Sequence, residues 1–135
     1  MKLREVLGVD ISGEELRVVQ VRQESPRPLV THFACRPVPA GAEATEVAAV
    51  LRRALAESGF TSGDAVLGLA AGRGFLHCRR GEEGEELKGF SEFDYVTDHW
   101  PVGDGREMWG VAARSDVTRA LEVASRAGLR PVAVE

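Results

Sequence analysis

The 135 residues are the size of one ordinary domain, and 44% apolar with 28% charged is the balance of a soluble globular chain rather than a disordered one. Seventeen Lys and Arg against twenty-one Asp and Glu leave a net charge of −4, which argues against a nucleic-acid binder, because phosphate binding needs a concentrated basic face. No apolar run approaches the roughly 18 residues of a membrane span, Glu5 and Asp10 interrupt what a signal peptide would keep clear, and Cys35 and Cys78 are too few for a disulfide framework; the expectation is a cytoplasmic domain with reduced thiols.

Residues 7–11 form a short apolar run, and residues 16–21 form a second after the turn Ser12-Gly13-Glu14-Glu15. Two such runs around a tight Gly-containing turn predict a β-hairpin. Pro26 and Pro28 close the second strand, and residues 29–36 read as a third, so residues 5–36 are expected to be a three-stranded meander. Residues 43–58 carry Val47, Val50, Leu51, Ala54 and Leu55 on one stripe, which predicts a helix. Thr45 or a residue just before it is expected to cap its start. Gly59 suits the position after its end, with Phe60 supplying the apolar contact. A buried strand is expected over residues 65–70. A second helix, with Ser115 as N-cap and Val117, Ala120, Leu121 and Ala124 as its stripe, closes on Gly128 and Leu129 and leads to a strand over 131–134. Helix, Gly, apolar residue, loop and strand thus occur twice. The order β-β-β-α-β-α-β predicts a mixed α/β sheet, antiparallel on one side and parallel on the other.

Residues 72–110 read as a strand-rich excursion from this sheet. Residues 81–89 are Gly-rich and acidic, and the run from Glu82 to Glu86 reads as a solvated loop or as a surface for a basic partner. Residues 93–100 are expected to be an edge strand, residues 101–105 a turn and residues 108–113 a strand.

The text of the chain resembles the PilM family, the actin-like proteins of type IV pilus assembly. Val6-Leu-Gly-Val-Asp10-Ile-Ser-Gly13 is similar to that family's opening L-G-(I/L/V)-D-I-G-S. Arg36-Pro-Val-Pro-Ala-Gly41 resembles the segment before its first helix, and residues 47–60 resemble that helix. Residues 110–117 and 127–134 resemble its second helix block. The resemblance covers most of the chain outside residues 76–105. It implies an RNase H-like or actin-like half-domain over residues 1–135, with a small insertion over 76–105. It also implies a cytoplasmic scaffold of a type IV pilus or related type II secretion system, bacterial, held at the inner face of the inner membrane through a partner and possessing no catalysis of its own. In the family, the insertion and the core sheet together clasp the tail of an inner-membrane partner.

The resemblance assigns Asp10, Ser12 and Gly13 to a phosphate loop, here vestigial: Glu14 and Glu15 stand where phosphate oxygens would approach, and like charges at close range cost up to a few kcal/mol. No cofactor is therefore expected, the alternative being ATP with Mg in a longer chain for which this is the N-terminal lobe. A second alternative is a metal-dependent nuclease of RNase H type, which needs further acids gathered around Asp10. Phe90, Phe93, Tyr95, Trp100 and Trp109 hold five of the eight aromatic residues between positions 90 and 109, where aliphatics are few. Phe93, Tyr95, Trp100 and Trp109 are accordingly the expected partner groove, set against simple packing as the other reading. A homodimer is a further option. Gly72-Arg73-Gly74 lacks the third glycine of a dinucleotide fingerprint, and His32, Cys35, His77 and Cys78 have no zinc-ligand spacing.

Overall fold

The computed structural model describes residues 4–70, 73–80 and 89–135. In chain order the elements are β1 (Glu5–Ser12), β2 (Glu15–Arg22), β3 (Leu29–Pro37), α1 (Ala44–Glu57), β4 (Asp64–Gly68), β5 (Gly74–Arg80), β6 (Tyr95–Gly103), β7 (Arg106–Ala113), α2 (Arg114–Arg126) and β8 (Arg130–Val134). They fall into two compact units, Met1–Ala70 with Arg119–Glu135 and, between them, Ala71–Thr118.

The first unit is a five-stranded sheet in the order β3-β2-β1-β4-β8. β1 pairs antiparallel with β2 and parallel with β4, and β4 pairs parallel with β8. This is the mixed sheet that the order of elements predicts. The first hairpin closes with Ser12 opposite Glu15, so only Gly13 and Glu14 form the loop. Gly13 takes φ +62°, the positive φ that a two-residue hairpin loop asks of its first position. Alternation along the strands sends Leu7, Val9, Leu16 and Val18 to one face, where they meet Val47, Ala48, Leu51 and Ala54 of α1 and Val123 and Ala124 of α2. Leu7, Leu16, Val18, Val47 and Leu51 are completely buried. On the other face Val6, Val19, Val21 and Val66 are half-buried, and Phe33 is exposed.

Each helix ends as its sequence foretells. Gly59 and Gly128 have φ +71° and +81°. The N–H of Phe60 donates to the Leu55 carbonyl and that of Leu129 to the Ala124 carbonyl, the reach-back bond of a Schellman motif. Both apolar residues join the core. The N-cap of α1 is Glu43, whose own N–H donates to the Glu46 carboxylate at 2.8 Å. α2 begins at Arg114, so Ser115 lies inside the first turn rather than capping it. The strand expected over 65–70 is shifted to Asp64–Gly68.

One buried polar side chain had no sequence signal. Gln20 is 1% exposed. Its Oε1 accepts the backbone N–H groups of Thr61 and Ser62 at 2.9 and 3.1 Å, and its Nε2 lies 3.0 Å from Thr61 Oγ1. It satisfies backbone donors of the loop between α1 and β4 and ties that loop to β2.

The second unit is a three-stranded antiparallel sheet in the order β5-β7-β6. Asp104 and Gly105 form the β6–β7 loop, with φ +53° and +67°, the Asp-Gly pairing of a type I′ turn. The turn expected over 101–105 is thus confined to its last residues, and β6 runs on through Pro101. An edge strand tolerates proline because no ladder bond is lost there. Trp109 and Val111 are 7% and 3% exposed. The acid run at 82–86 lies outside the described residues, as does Gly72.

Candidate functional site

Two places collect the residues singled out by sequence. The first is the β1–β2 hairpin. Asp10 lies near the end of β1, two residues before Ser12, with its carboxylate on the face away from the helices and directly opposite Arg17 of β2. Arg17 Nη1 donates to Asp10 Oδ2 at 3.2 Å and to Ser12 Oγ at 3.1 Å, and Ser12 Oγ donates to the same Asp10 oxygen at 3.2 Å. Arg17 also pairs with Glu15. The Glu15 carboxylate in turn accepts the Cys35 thiol of β3, Sγ to Oε1 2.6 Å. That hydrogen bond, then desolvation, then the charge of Glu15 push the Cys35 thiol above its ordinary value, so the sulfur is held protonated.

Asp10, Ser12, Arg17, Glu15 and Cys35 therefore form one continuous network across three strands. The cation that balances Asp10 is an arginine of the same sheet. The phosphate-loop resemblance would set a nucleotide with Mg against these residues. The acid that would meet the metal is engaged by Arg17, and Glu14 and Glu15 present carboxylates at the turn. Among the described residues no three His, Cys, Asp or Glu are grouped to hold a metal ion. Arg17 was not singled out by sequence, although the two-residue turn places residue 17 opposite residue 10.

The second place is the sheet of the second unit, where the four aromatic residues expected to form one groove separate. Trp109 lies between β5 and β6 on one face. The His99 ring stacks on it at 4.5 Å, and the Arg79 guanidinium sits 4.9 Å from its centroid. Its indole N–H donates to Glu107 at 3.2 Å. Tyr95 is on the same face, edge-on to Phe90, which in turn meets Phe75, both at 5.2 Å. This face builds its packing from aromatic and cationic stacks.

Trp100 points to the opposite face. Its ring lies over Gly110 of the central strand and approaches Leu76 from β5: a Cβ at position 110 would meet Trp100 at 3.5 Å and Leu76 at 3.7 Å. Trp100 is 42% and Leu76 67% exposed, and Met108 and Val96 lie beside them on the same face. Trp100, Gly110 and Leu76 thus form an apolar shelf across the three strands. Phe93 lies on neither face. It is 83% exposed at the tip of a turn fixed by bonds from the N–H groups of Asp94 and Tyr95 to the Ser91 carbonyl. Arg114 Nη2 clamps the same turn through the Glu92 carbonyl at 2.6 Å. The shelf reaches both edge strands of its sheet, β5 through Leu76 and β6 through Trp100.

The chain matches no protein-family model, and no curated protein matches it in sequence. It is similar to a solved chain of a PilM–PilN type IV pilus biogenesis complex, with a TM-score of 0.78, 22% identity, and coverage of 96% of this chain and 46% of that one. It is also similar to the cytoplasmic domain of EpsL, an inner membrane component of the type II secretion system of Vibrio cholerae, with a TM-score of 0.58, 14% identity, and coverage of 97% of this chain and 57% of that one. The chain thus spans about half the length of the solved chains it matches. At these identities the likeness is one of fold: a mixed five-stranded α/β sheet with two helices and an added three-stranded antiparallel sheet, of the actin-like type anticipated from sequence. Among the described residues, no helix is long and apolar enough to cross a membrane.

Proposed function

We propose that this chain is a non-catalytic scaffold module of a type IV pilus or type II secretion assembly machine, working in the cytoplasm at the inner face of the inner membrane. It docks a short segment of a membrane-anchored partner. The likeness in fold to PilM in complex with PilN, and to the cytoplasmic domain of EpsL, supports the setting. The observation that carries the docking is the shelf of the second unit: exposed Trp100 on the edge strand β6, its ring over Gly110 beside exposed Leu76. An extended segment can continue the sheet by backbone hydrogen bonds to such an edge, while the shelf takes its apolar side chains. An aromatic anchor beside aliphatic neighbours is the composition that concentrates binding energy.

No nucleotide takes part in this role. Arg17 supplies internally the positive charge that a metal–nucleotide would bring to Asp10. Capture of the partner from a membrane extract tests the reading. Trp100→Ala with Leu76→Ala abolishes capture while leaving the melting temperature of the chain nearly unchanged; capture at the wild-type level by the double variant overturns the shelf as the docking surface.

A further inference from the structure

The charge of the chain is not spread evenly. Residues 71–118 contain ten Asp and Glu against six Lys and Arg, whereas the remaining residues balance eleven against eleven. The whole net charge of −4 therefore belongs to the second unit. Within it, the segment from 89 to 105, which contains β6 and its flanking turns, holds Glu92, Asp94, Asp98 and Asp104 and no Lys or Arg. All four acids are exposed. Among the described residues only Asp104 of these four has an ion-pair partner, Arg106 at 3.6 Å. Edge strands are commonly protected from pairing by lysine; this one carries acids instead.

The pleat sets these charges against the shelf. Val96, Asp98 and Trp100 alternate on β6, so all three project to the shelf side. Asp98 stands between two apolar neighbours, and its carboxylate accepts the N–H of His99 at 2.8 Å. A strand added alongside β6 has the same period of two, so three of its alternate side chains face these three residues.

From this we infer that the docked segment has the pattern apolar–x–basic–x–apolar, with Lys or Arg opposite Asp98 and the apolar residues opposite Val96 and Trp100; the inference rests on the docking reading above and specifies its partner's chemistry. The acidity of the rest of the unit draws such a segment in from a distance.

A pair of short synthetic peptides tests it against the full chain by fluorescence anisotropy. One has Ile-Thr-Arg-Thr-Ile at its centre, and the other has Glu in place of Arg. The Arg peptide is expected to bind at least about tenfold tighter than the Glu peptide, with affinity falling as salt rises. Asp98→Lys is expected to reverse the order, and Trp100→Ala to weaken both peptides. Equal binding of the two peptides, with Trp100→Ala still weakening both, overturns the charge pattern and leaves the docking reading standing. Failure of both peptides to bind overturns the pattern and counts against the shelf as a docking surface as well.

Discussion

The two sheets of this chain solve the problem of stability differently. The first buries aliphatic side chains between a five-stranded sheet and two helices, and its charges cancel. The second is a three-stranded sheet in which, among the described residues, Trp109 and Val111 are the buried apolar side chains. It relies on stacks of aromatic rings and a guanidinium, it carries the excess of acid, and it leaves Leu76, Phe93 and Trp100 in solvent. A region that buries its apolar groups is built to persist. A region with so small a core and with exposed apolar groups on a hydrogen-bonded frame suits the proposed docking, although β3 of the first unit also exposes Val30 and Phe33.

Substitutions at matched residues sharpen or break this contrast. Leu51→Ala in the first unit removes a completely buried side chain and is expected to cost about 2–5 kcal/mol. Leu76→Ala in the second should stay within about 0.5 kcal/mol, as exposed positions do. Urea denaturation measures both, and a Leu76→Ala cost close to that of Leu51→Ala would mean that the shelf is part of a core. Gln20→Leu strands the N–H groups of Thr61 and Ser62 and is expected to cost about 1–3 kcal/mol; a stability gain in the same assay would contradict the part given to that side chain. Gly128→Val forces a β-branched residue into φ +81° and is expected to cost about 1 kcal/mol or more, read as a lowered melting temperature.

The smallest effect separates the two cysteines. Cys78 is exposed, whereas Cys35 is half-buried and donates to Glu15. Cys35 should alkylate with iodoacetamide more slowly than Cys78 near pH 8, and Glu15→Gln should speed it by removing the cause that most raises its pKa. Because the folded state favours the neutral thiol, this contact contributes fully below the ordinary cysteine value and is lost as pH rises through the raised one. Stability should therefore decline at alkaline pH faster in the wild type than in Cys35→Ser, as pH-dependent thermal melts would show.

Local grammar made the first unit legible. Gly13, Gly59 and Gly128 each sit where a positive φ is required, and the stripe of α1 names its own buried face. What stayed hidden depends on register. The Asp10–Arg17 pair follows from counting outward from a two-residue turn, yet nothing in Arg17 itself marks it. β5 escaped notice because Phe75-Leu76-His77-Cys78-Arg79-Arg80 has no clear alternation, and its pairing partner β7 lies about thirty residues away in sequence. The aromatic cluster shows the effect most clearly. Counting back from Gly103 opposite Arg106 would set Trp100 opposite Trp109 on a single face. The ladder instead slips between Pro101 and Gly103, so that Trp100 pairs with Met108 and His99 with Trp109. One extra residue in β6 turns Trp100 to the other side of the sheet. The expected single groove thus becomes a packed aromatic face and an exposed apolar shelf.

The most direct test of this division between persistent core and open display is an NMR titration of the isotopically labelled chain with the Ile-Thr-Arg-Thr-Ile peptide. The predicted result is that shift changes concentrate in Tyr95–Gly103, in Leu76 and Gly110 and in the indole N–H of Trp100, with β6 amides gaining protection from exchange. Changes centred instead on Val6, Val19 and Phe33 of the five-stranded sheet, with β6 silent, would contradict it.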